Sequence, residues 1–529
     1  MNPAQTSFAA LADLVHQHAK GAPRRVALVE AERELDYAGL ATMMDRVACG
    51  LQRANVGPGC TVAICATASI EYAAVFLGVL QAGAAVAPLA TGTTAAALHA
   101  MLKDCDPSLL FLDEAAAAVL DGPVLGAATR GVAPALVRIS LGGSAAGFAL
   151  QAWLDEPAGG SARAPEPVQI APQAPFNIIY SSGTTGVPKG IVQSHAMRWA
   201  HVQRGASYGY SPQTVTLLST PLYSNTTLVV FVPTLAFGGT VVLMPKFDAA
   251  RYLALAERHR VTHTMLVPVQ YQRLLAHSEF GRHDLRSFQV KFATSAPFAA
   301  ALKAEVLDRW PGQLIEFYGM TEGGGTCILE AHAHRDKLHT VGRPAEGHDI
   351  RLIDESGAEA AAGAAGEVVG HSPGMMTGYY HQPEKTRETE WFDPSGKRFI
   401  RSGDIGRFDA QGFLTLIDRR KDLIISGGFN VYPGDLEAVL REHPGVADVA
   451  VVGVPSERWG ETPVAFVVPR AGPGQRDSRP TPGELLLWSN SRLAKLQRLH
   501  SIEFIAELPR SAIGKVLKRE LRQRFQARA

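Results

Sequence analysis

The stretch of sequence best suited to chemistry is residues 180–190, which read Tyr-Ser-Ser-Gly-Thr-Thr-Gly-Val-Pro-Lys-Gly. Glycines tolerate positive φ, so glycines at this spacing let backbone N–H groups turn toward one point and form an anion-binding nest. The hydroxyls between them add hydrogen-bond donors, and the lysine adds a mobile positive charge. The pattern predicts a loop that holds a polyphosphate, formed by Ser181, Ser182, Gly183, Thr184, Thr185, Gly186, Lys189 and Gly190.

The spacing within this loop differs from that of an ordinary P-loop NTPase. The fifth residue after Gly183 is Pro188 and the fifth after Gly186 is Ile191, so no Gly-Lys-Ser/Thr closes the loop. A flexible Ser/Thr/Gly surface loop is the alternative interpretation. The two threonines between glycines, with Pro-Lys-Gly behind them, favour the phosphate loop.

A second block of chemistry lies at residues 316–325, which read Glu-Phe-Tyr-Gly-Met-Thr-Glu-Gly-Gly-Gly. An aromatic ring can stack on a nucleobase, Thr321 offers a donor to phosphate, and Glu322 offers a hard oxygen ligand suited to Mg²⁺. Taken alone, such a segment is more often a turn with a solvated glutamate. Its three glycines either leave room for an acyl group or form a closely packed turn.

These two blocks, in this order, resemble the adenylate-forming (AMP-binding) superfamily, in particular its acyl-CoA synthetase and aryl-CoA ligase branch. The family order Tyr-Gly-x-Thr-Glu is intact at residues 318–322. The resemblance implies an α/β fold with a large N-terminal region of doubly wound sheets and a distorted β-barrel, followed by a small mobile α+β domain. It implies domains 1–420 and 421–529 with a hinge at about Lys421.

The resemblance also implies a set of nucleotide contacts. Thr321 would contact the α-phosphate, Glu322 would bind Mg²⁺, and Tyr318 would lie on the adenine, while Thr184 and Lys515 join Glu322 as catalytic residues. Asp404 and Arg419 would hold the ribose. Together with the phosphate loop, the implied ATP and AMP site comprises Ser295, Ala296, Pro297, Glu316, Phe317, Tyr318, Gly319, Met320, Thr321, Asp404, Arg419 and Lys515.

Three departures from the family pattern concern the acid, the adenine and coenzyme A. Ser224 stands where the family more often has a His near the acyl carboxylate, and Thr294 and Ser295 replace commoner glycines. Residues 496–499 read Leu-Gln-Arg-Leu in place of Tyr-Lys-x-Pro, which affects the expected coenzyme A contacts. By resemblance those contacts involve Ser426, Gly427, Gly428 and Phe429.

The acyl pocket is expected near the segment 223–227, which lacks the Asp that amino-acid adenylation enzymes usually place there. A plain acyl or aryl acid is therefore expected. His195 is an additional candidate, although a structural histidine is the alternative interpretation. The predicted pocket residues are Tyr223, Ser224, Asn225, Gly323, Gly324, Gly325 and His195.

The elements that must position these residues follow an α/β pattern. Residues 26–30, 61–66 and 84–89 read as strands, and 38–54 and 71–81 as helices; this alternation predicts a parallel, doubly wound sheet. We expect irregular chain at residues 122–167, and helices at 228–237 and 483–496.

Composition excludes several other classes of protein. The net charge of +1 leaves no broad basic surface for nucleic acid. The five cysteines lack CxxC spacing, which argues against a disulfide framework and a structural zinc site. This cysteine pattern favours a cytoplasmic location. The most apolar window, 73–90, is interrupted by Gln81, Gly83 and Pro88, so we expect no membrane span.

The expected reaction is activation of a carboxylic acid, a small-molecule substrate, by ATP and Mg²⁺, followed by transfer of the acyl group to coenzyme A. We expect coenzyme A to be the acceptor of the acyl group, because no carrier domain follows Lys515. We expect the protein to be a monomer or homodimer. An acyl-AMP ligase that loads a separate carrier protein, a luciferase-like oxygenase and a nucleotide-binding regulator are the alternatives.

Overall fold

The computed structural model describes residues 6–122, 136–143, 146–155, 164–181, 188–419, 422–426, 429–456, 459–470, 480–493, 497–511 and 514–527. The α-helices are α1 (Leu11–Gly21), α2 (Tyr37–Arg53), α3 (Ile70–Gln81), α4 (Ala95–Cys105), α5 (Glu114–Leu120), α6 (Leu150–Asp155), α7 (His195–Gly205), α8 (Asn225–Ala236), α9 (Ala249–Arg258), α10 (Pro268–Leu275), α11 (Ala300–Arg309), α12 (Pro383–Glu388), α13 (Pro433–Arg441), α14 (Pro482–Asn490) and α15 (Lys518–Gln526).

The β-strands begin with β1 (Val26–Glu30), β2 (Arg33–Asp36), β3 (Thr61–Cys65), β4 (Ala85–Pro88), β5 (Leu109–Leu112), β6 (Val137–Ser140), β7 (Phe148–Ala149), β8 (Pro175–Ser181), β9 (Lys189–Ser194), β10 (Val215–Leu218), β11 (Thr240–Leu243), β12 (His263–Leu266), β13 (Val290–Ala293) and β14 (Gln313–Gly319). They continue with β15 (Thr326–Glu330), β16 (Arg343–Pro344), β17 (Asp349–Ile353), β18 (Gly366–His371), β19 (Gly378–Tyr379), β20 (Glu390–Phe392), β21 (Arg398–Phe408), β22 (Leu414–Arg419), β23 (Ile424–Ser426), β24 (Phe429–Val431), β25 (Val446–Ser456), β26 (Gly460–Pro469) and β27 (Ser501–Phe504).

The chain divides into two compact units. The first unit comprises Met1–Leu338, Ala345–Asp349 and His371–Ile400, and the second comprises His339–Pro344, Ile350–Gly370 and Arg401–Ala529.

The first unit contains two mixed sheets. One sheet runs in the order β15-β14-β13-β12-β10-β11-β1-β2, with parallel pairing from β14 to β1 and antiparallel strands β15 and β2 at its ends. The other runs in the order β19-β9-β8-β4-β3-β5-β6-β7, parallel from β8 to β7. Parallel strands need crossover connections, here mostly helices, and this confirms the predicted α/β class.

The core of the first unit is aromatic where helices meet the sheets. Phe76 of α3 lies 5.9 Å from Phe176 of β8 and 6.3 Å from Phe231 of α8, measured between ring centroids. Such fully buried rings supply much of the apolar area that folding removes from water. They hold β8, and with it the start of the predicted phosphate loop, against the helices.

The second unit ends in a sheet of order β24-β23-β26-β25, with β27 parallel to β26. Its core includes Ile424 of β23, Leu436 of α13, Val467 of β26 and Leu485 of α14. Upstream of this sheet, β21 and β22 pair in antiparallel fashion.

Three sequence predictions differ from the structure. Residues 122–167 were expected to be irregular, yet their described part contains β6, β7 and α6, because Trp153 packs on α2, where it would lie 2.5 Å from a Cβ added at Gly50. The helix expected at 228–237 begins at Asn225, because Ser224 caps it. The helix expected at 483–496 ends at Asn490, whose side chain donates to the carbonyl of Leu499. None of the helices in the described part of the chain is long and apolar enough to cross a membrane.

Candidate active site

The strands on either side of the predicted phosphate loop are anchored by one carboxylate. The Tyr180 hydroxyl on β8 donates to Oδ2 of Asp104 at 2.6 Å, and Gln382 donates to Oδ1 of the same group at 2.9 Å. Gln382 also donates to the carbonyl of Pro188, just before β9, at 3.4 Å. Burial raises the pKa of Tyr180, so its hydroxyl remains a donor. Asp104 therefore holds both ends of the loop.

Several predicted residues fall outside the part of the chain that the structure describes. They are Ser182, Gly183, Thr184, Thr185, Gly186, Lys421, Gly427 and Gly428. The side chains of Ser181 on β8 and Phe429 on β24 also fall outside it, although both strands are described.

Tyr379 links Lys189, at the start of β9, to Glu322 of the second block. The Lys189 ammonium lies 5.2 Å from the centroid of the Tyr379 ring, and the Tyr379 hydroxyl donates to Oε1 of Glu322 at 2.9 Å. Burial and the neighbouring carboxylate raise the pKa of Tyr379, which keeps the hydroxyl protonated. The structure thus brings together a cation and a carboxylate that the sequence analysis assigned to one nucleotide site.

The turn that carries Glu322 is tightly packed. Gly323 has φ +73°, and an added Cβ there would lie 2.1 Å from the carbonyl oxygen of Gly374. The Gly323 carbonyl accepts from Ser372 at 2.7 Å, and Gly325 also has positive φ, at +95°. At Gly323 this geometry favours the packed-turn interpretation over open space for an acyl group.

The predicted adenine-side residues lie on β14 and on the turn after β13. Glu316 is buried and forms an ion pair with Lys303 of α11, so its carboxylate is engaged within the fold. Phe317 stacks on Phe292 at 5.4 Å. Tyr318 is half-buried opposite Cys327 of β15, while Gly319 ends β14 and Met320 and Thr321 follow it; Ala296 is half-buried and Pro297 is exposed.

Ser295 occupies a backbone conformation that favours glycine. Its φ is +78°, and its hydroxyl shares a hydrogen bond of 2.6 Å with that of Thr226. The neighbouring Thr294 donates to the carbonyl of Phe317 at 2.8 Å. These hydroxyls tie the turn to α8 and β14.

The segment 223–227, near which the acyl pocket is expected, leads into α8. The Ser224 hydroxyl accepts from the backbone N–H of Thr226 at 3.3 Å as the helix N-cap, and Asn225 accepts from Arg198 at 2.8 Å. Burial raises the pKa of Tyr223. His195, which is 4% exposed, packs edge-on against Phe176, and burial lowers its pKa to about 4, so the ring is neutral near pH 7.

In the second unit the two predicted ribose residues contact each other. Asp404 of β21 lies opposite Arg419 of β22, and the Arg419 Nε lies 3.0 Å from Oδ1 of Asp404. The backbone N–H of Asp404 donates to Ser402 at 3.0 Å. A carboxylate and a guanidinium are therefore presented side by side.

Two hydrogen bonds join Lys515 to Ser511. The Ser511 N–H donates to the Lys515 carbonyl at 2.8 Å, and the Lys515 N–H donates to the Ser511 hydroxyl at 3.2 Å. Arg510 donates to Gly514 at 2.7 Å and to Asp448 at 2.6 Å.

Ser426, predicted to contact coenzyme A, is buried on β23, opposite Gly460 of β26.

Two family models match the chain. The model of the AMP-binding enzyme covers residues 15–380, and that of the AMP-binding enzyme C-terminal domain covers residues 435–515. The chain belongs to the AMP-binding enzyme family. The match confirms the resemblance that the two sequence blocks carried.

Relatives of this AMP-binding enzyme align over nearly its whole length. A feruloyl-CoA synthase of Amycolatopsis sp is 34% identical, over 96% of this chain and 98% of its own. An indoleacetate–CoA ligase of Aromatoleum aromaticum is 33% identical, over 97% and 98%. A fatty acid–[acyl-carrier-protein] ligase, ScoC, of Streptomyces coeruleorubidus is 33% identical, over 96% and 95%.

A solved structure shares the fold. ATP-bound MatB from Rhodopseudomonas palustris superposes with a TM-score of 0.83 at 28% identity, covering 97% of this chain and 99% of that one.

Sequence reasoning missed three residues that organise the site of this AMP-binding enzyme. Asp104 and Tyr379 lie far along the chain from the blocks that they contact, so no local pattern indicates them. Arg198 of α7 is wholly buried, whereas an isolated arginine in a helical segment is usually solvated. The signal available for Arg198 was its place in the first turn of α7, between the apolar residues Met197 and Trp199.

Proposed function

We propose that this AMP-binding enzyme is an ATP-dependent acid–CoA ligase. It activates a carboxylic acid as acyl-AMP with release of pyrophosphate and then transfers the acyl group to the thiol of coenzyme A. The observation that carries the proposal is the convergence of Lys189 and Glu322 on Tyr379, between the phosphate-loop strands and the second block.

Activation of the acid requires positively charged groups held beside the phosphates of ATP. A carboxylate must attack the α-phosphorus of ATP, so an anion approaches a polyanion and charge grows on the phosphoryl oxygens. Catalysis of such a step consists mainly of positioning and electrostatic stabilisation. Lys189 would contact the phosphates, and Thr321, next to Glu322, would donate to the α-phosphate.

The carboxylate of Glu322 is suited to bind Mg²⁺. Within the described ranges no group of three or more His, Cys, Asp or Glu side chains could hold a metal by itself. Mg²⁺ with a nucleotide is usually bound by one or two carboxylates together with phosphates, so a single oriented carboxylate suffices. When bound, the ion would neutralise charge on the phosphate oxygens. Tyr379 orients Glu322 for this role through its hydrogen bond.

The second half-reaction is assigned to the C-terminal part of the chain. Residues 1–420 would form the adenylation domain and 421–529 a mobile domain that turns about Lys421. In one arrangement Lys515 would approach the carboxylate and the α-phosphate. In the other, residues 426–429 would contact coenzyme A. Asp404 and Arg419 would hold the ribose of the nucleotide.

The substrate is proposed to be an aryl or plain acyl acid. The segment 223–227 has no Asp for an α-amino group, and relatives are named for ferulate, indoleacetate and fatty acids. Ser224 caps α8 and Asn225 is bonded to Arg198, so these polar groups are already engaged within the fold.

A carrier protein is the second candidate acceptor, because ScoC, a relative of similar identity, is named as a carrier-protein ligase. Purified protein with ATP and an accepted acid would be offered coenzyme A or a holo carrier protein in parallel, and thioester would be quantified by mass spectrometry. We expect acyl-CoA to form at least tenfold faster. Thioester on the carrier alone would overturn the choice of coenzyme A and leave adenylate formation in place.

A further inference from the structure

Arg198 is a buried cation surrounded by neutral amides. Its side chain, only 1% exposed, donates from Nε and Nη2 to Oδ1 of Asn177 at 2.9 Å each, and from Nη1 to Oδ1 of Asn225 at 2.8 Å. Nη2 also donates to Oε1 of Gln193. Among the described side chains no carboxylate forms an ion pair with it.

The guanidinium determines which way these amides point. An arginine can only donate hydrogen bonds, so the oxygen of Gln193 must face it and the Gln193 NH₂ group must point elsewhere. That NH₂ group donates to the backbone carbonyl of Thr321 at 2.7 Å. Asn177 is oriented likewise and donates from its NH₂ group to Oε1 of Gln193 at 2.9 Å.

The network joins the segments that carry the proposed chemistry. Asn177 lies on β8 and Gln193 on β9, the strands that flank the phosphate loop. Asn225, in the segment 223–227 near which the acyl pocket is expected, begins α8. Thr321 directly precedes the proposed magnesium ligand Glu322. The guanidinium thus bonds directly to residues of three segments, and Gln193 joins the fourth to them through the Thr321 carbonyl.

Stability alone does not account for a cation at this place. Burying a charge without an opposite charge is unfavourable, and well-packed apolar residues of similar volume are often as stable or more so. Burial lowers the pKa of Arg198 to about 9, yet the group remains charged near pH 7. A buried cation that carries this free-energy penalty and donates to three amides points to a role in orienting its neighbours.

We propose that Arg198 and Gln193 are positioning residues for adenylate formation. Arg198 sets the orientation of the Gln193 amide, and Gln193 places Thr321, and hence Glu322, against the phosphate loop. The inference rests on the proposed function, because it concerns the first half-reaction of that ligase.

The decisive variant is Gln193→Glu. A glutamate keeps an oxygen for Arg198 and supplies the missing negative charge, so the fold should be at least as stable. It removes the donor to the Thr321 carbonyl and places an oxygen there instead. Arg198→Lys complements it, because lysine keeps the charge and loses the planar fork that reaches three amides. Lys291→Met is the matched control: Lys291 is also a fully buried basic residue, but it donates to the carbonyls of residues 310–312.

Each variant would be assayed with ATP and an acid that the wild type accepts. We expect kcat for pyrophosphate release to fall at least tenfold in Gln193→Glu and Arg198→Lys, with KM for the acid within threefold of wild type. Thioester formation from supplied acyl-adenylate should change less than threefold. Lys291→Met should lower the melting temperature and keep the wild-type rate.

A folded Gln193→Glu protein with kcat within threefold of wild type would overturn the proposal, as would an equal loss in Lys291→Met. If Gln193→Glu does not fold, Arg198→Lys carries the same test. Wild-type protein that releases no pyrophosphate with any acid would contradict the ligase assignment itself, a result distinct from failure of the positioning role.

Discussion

The hydroxyl of Tyr379 donates a hydrogen bond of 2.9 Å to Glu322, the carboxylate that we propose as the magnesium ligand. The hydrogen bond restricts the rotation of this carboxylate. The Lys189 ammonium lies over the same ring, at 5.2 Å from its centroid. One tyrosine therefore links the end of the phosphate loop to the second block.

Tyr379→Phe should slow pyrophosphate release by about 10- to 150-fold, because a hydrogen bond to a charged group is worth about 1.5–3 kcal/mol and each 1.36 kcal/mol is about tenfold in rate. The loss should be accompanied by a higher Mg²⁺ concentration for half-maximal rate. Tyr380→Phe is the control, since Tyr380 stacks on His381. Equal rates for Tyr379→Phe and wild type across a magnesium titration would show that the contact does not matter for catalysis.

Gly323→Ala should both destabilise the protein and lower the rate of adenylate formation. A Cβ at Gly323 would lie 2.1 Å from the Gly374 carbonyl, so the turn that carries Glu322 must move. Gly347→Ala is the matched control, because Gly347 has nearly the same φ, +74°, with nothing within 4 Å of an added Cβ. That variant should lose about 1 kcal/mol of stability from backbone strain and keep its rate. Indistinguishable melting temperatures and rates for the two variants would contradict the packing argument.

Lys515→Ala should lower adenylate formation by a factor of about 10² to 10³, the usual effect of removing a placed donor. Thioester formation from supplied acyl-adenylate should be largely retained, because Lys515 is proposed to act only in the first half-reaction. Lys518→Ala, which removes a 2.9 Å contact to Glu437, is the control and should affect stability alone. Equal losses in the two half-reactions would refute the proposal of alternating domain arrangements.

Buried histidines should make the protein less stable in acid. Burial lowers the pKa values of His195, His263 and His348 to about 4, from an ordinary value of 6.5. Between these pH values the unfolded chain binds protons that the folded chain does not, so the free energy of unfolding falls as pH falls from 6.5 toward 4 and is fully restored above 6.5. His16, whose pKa is raised by Asp45, contributes with the opposite sign.

Melting temperatures measured from pH 7.5 to 4.5 would show this loss. His263→Gln should flatten the dependence, because His263 is fully buried and its imidazole contacts Thr262 and the carbonyl of Tyr208. A melting temperature that does not change over this range, or an identical slope in the variant, would be inconsistent with neutral buried histidines.

The fold was largely predictable from the sequence because its periodicity is strong. The strand expected at residues 26–30 is β1, and the helix expected at 71–81 is α3, which begins one residue earlier at Ile70. The segment with α6 was missed because only tertiary packing of Trp153 against α2 stabilises so short a helix.

The candidate site was predictable where a motif carries it and not where distant residues supply it. The pairing of Asp404 with Arg419 brings together two residues that the family resemblance had assigned to the ribose. Arg198 and Tyr379 belong to no motif, and their roles depend on contacts between segments that the chain order does not reveal. Ser224 was recognised as a departure from the family, but its capping bond became visible only once α8 was placed.

The proposed ligase must let an organic acid displace pyrophosphate from ATP. The purified protein would be incubated with ATP, Mg²⁺ and a panel of aryl and acyl acids, and AMP and pyrophosphate would be measured together. We expect at least one acid to yield AMP and pyrophosphate in equal amounts, and the addition of coenzyme A to yield the thioester. No acid-dependent AMP with any member of the panel would contradict the ligase assignment.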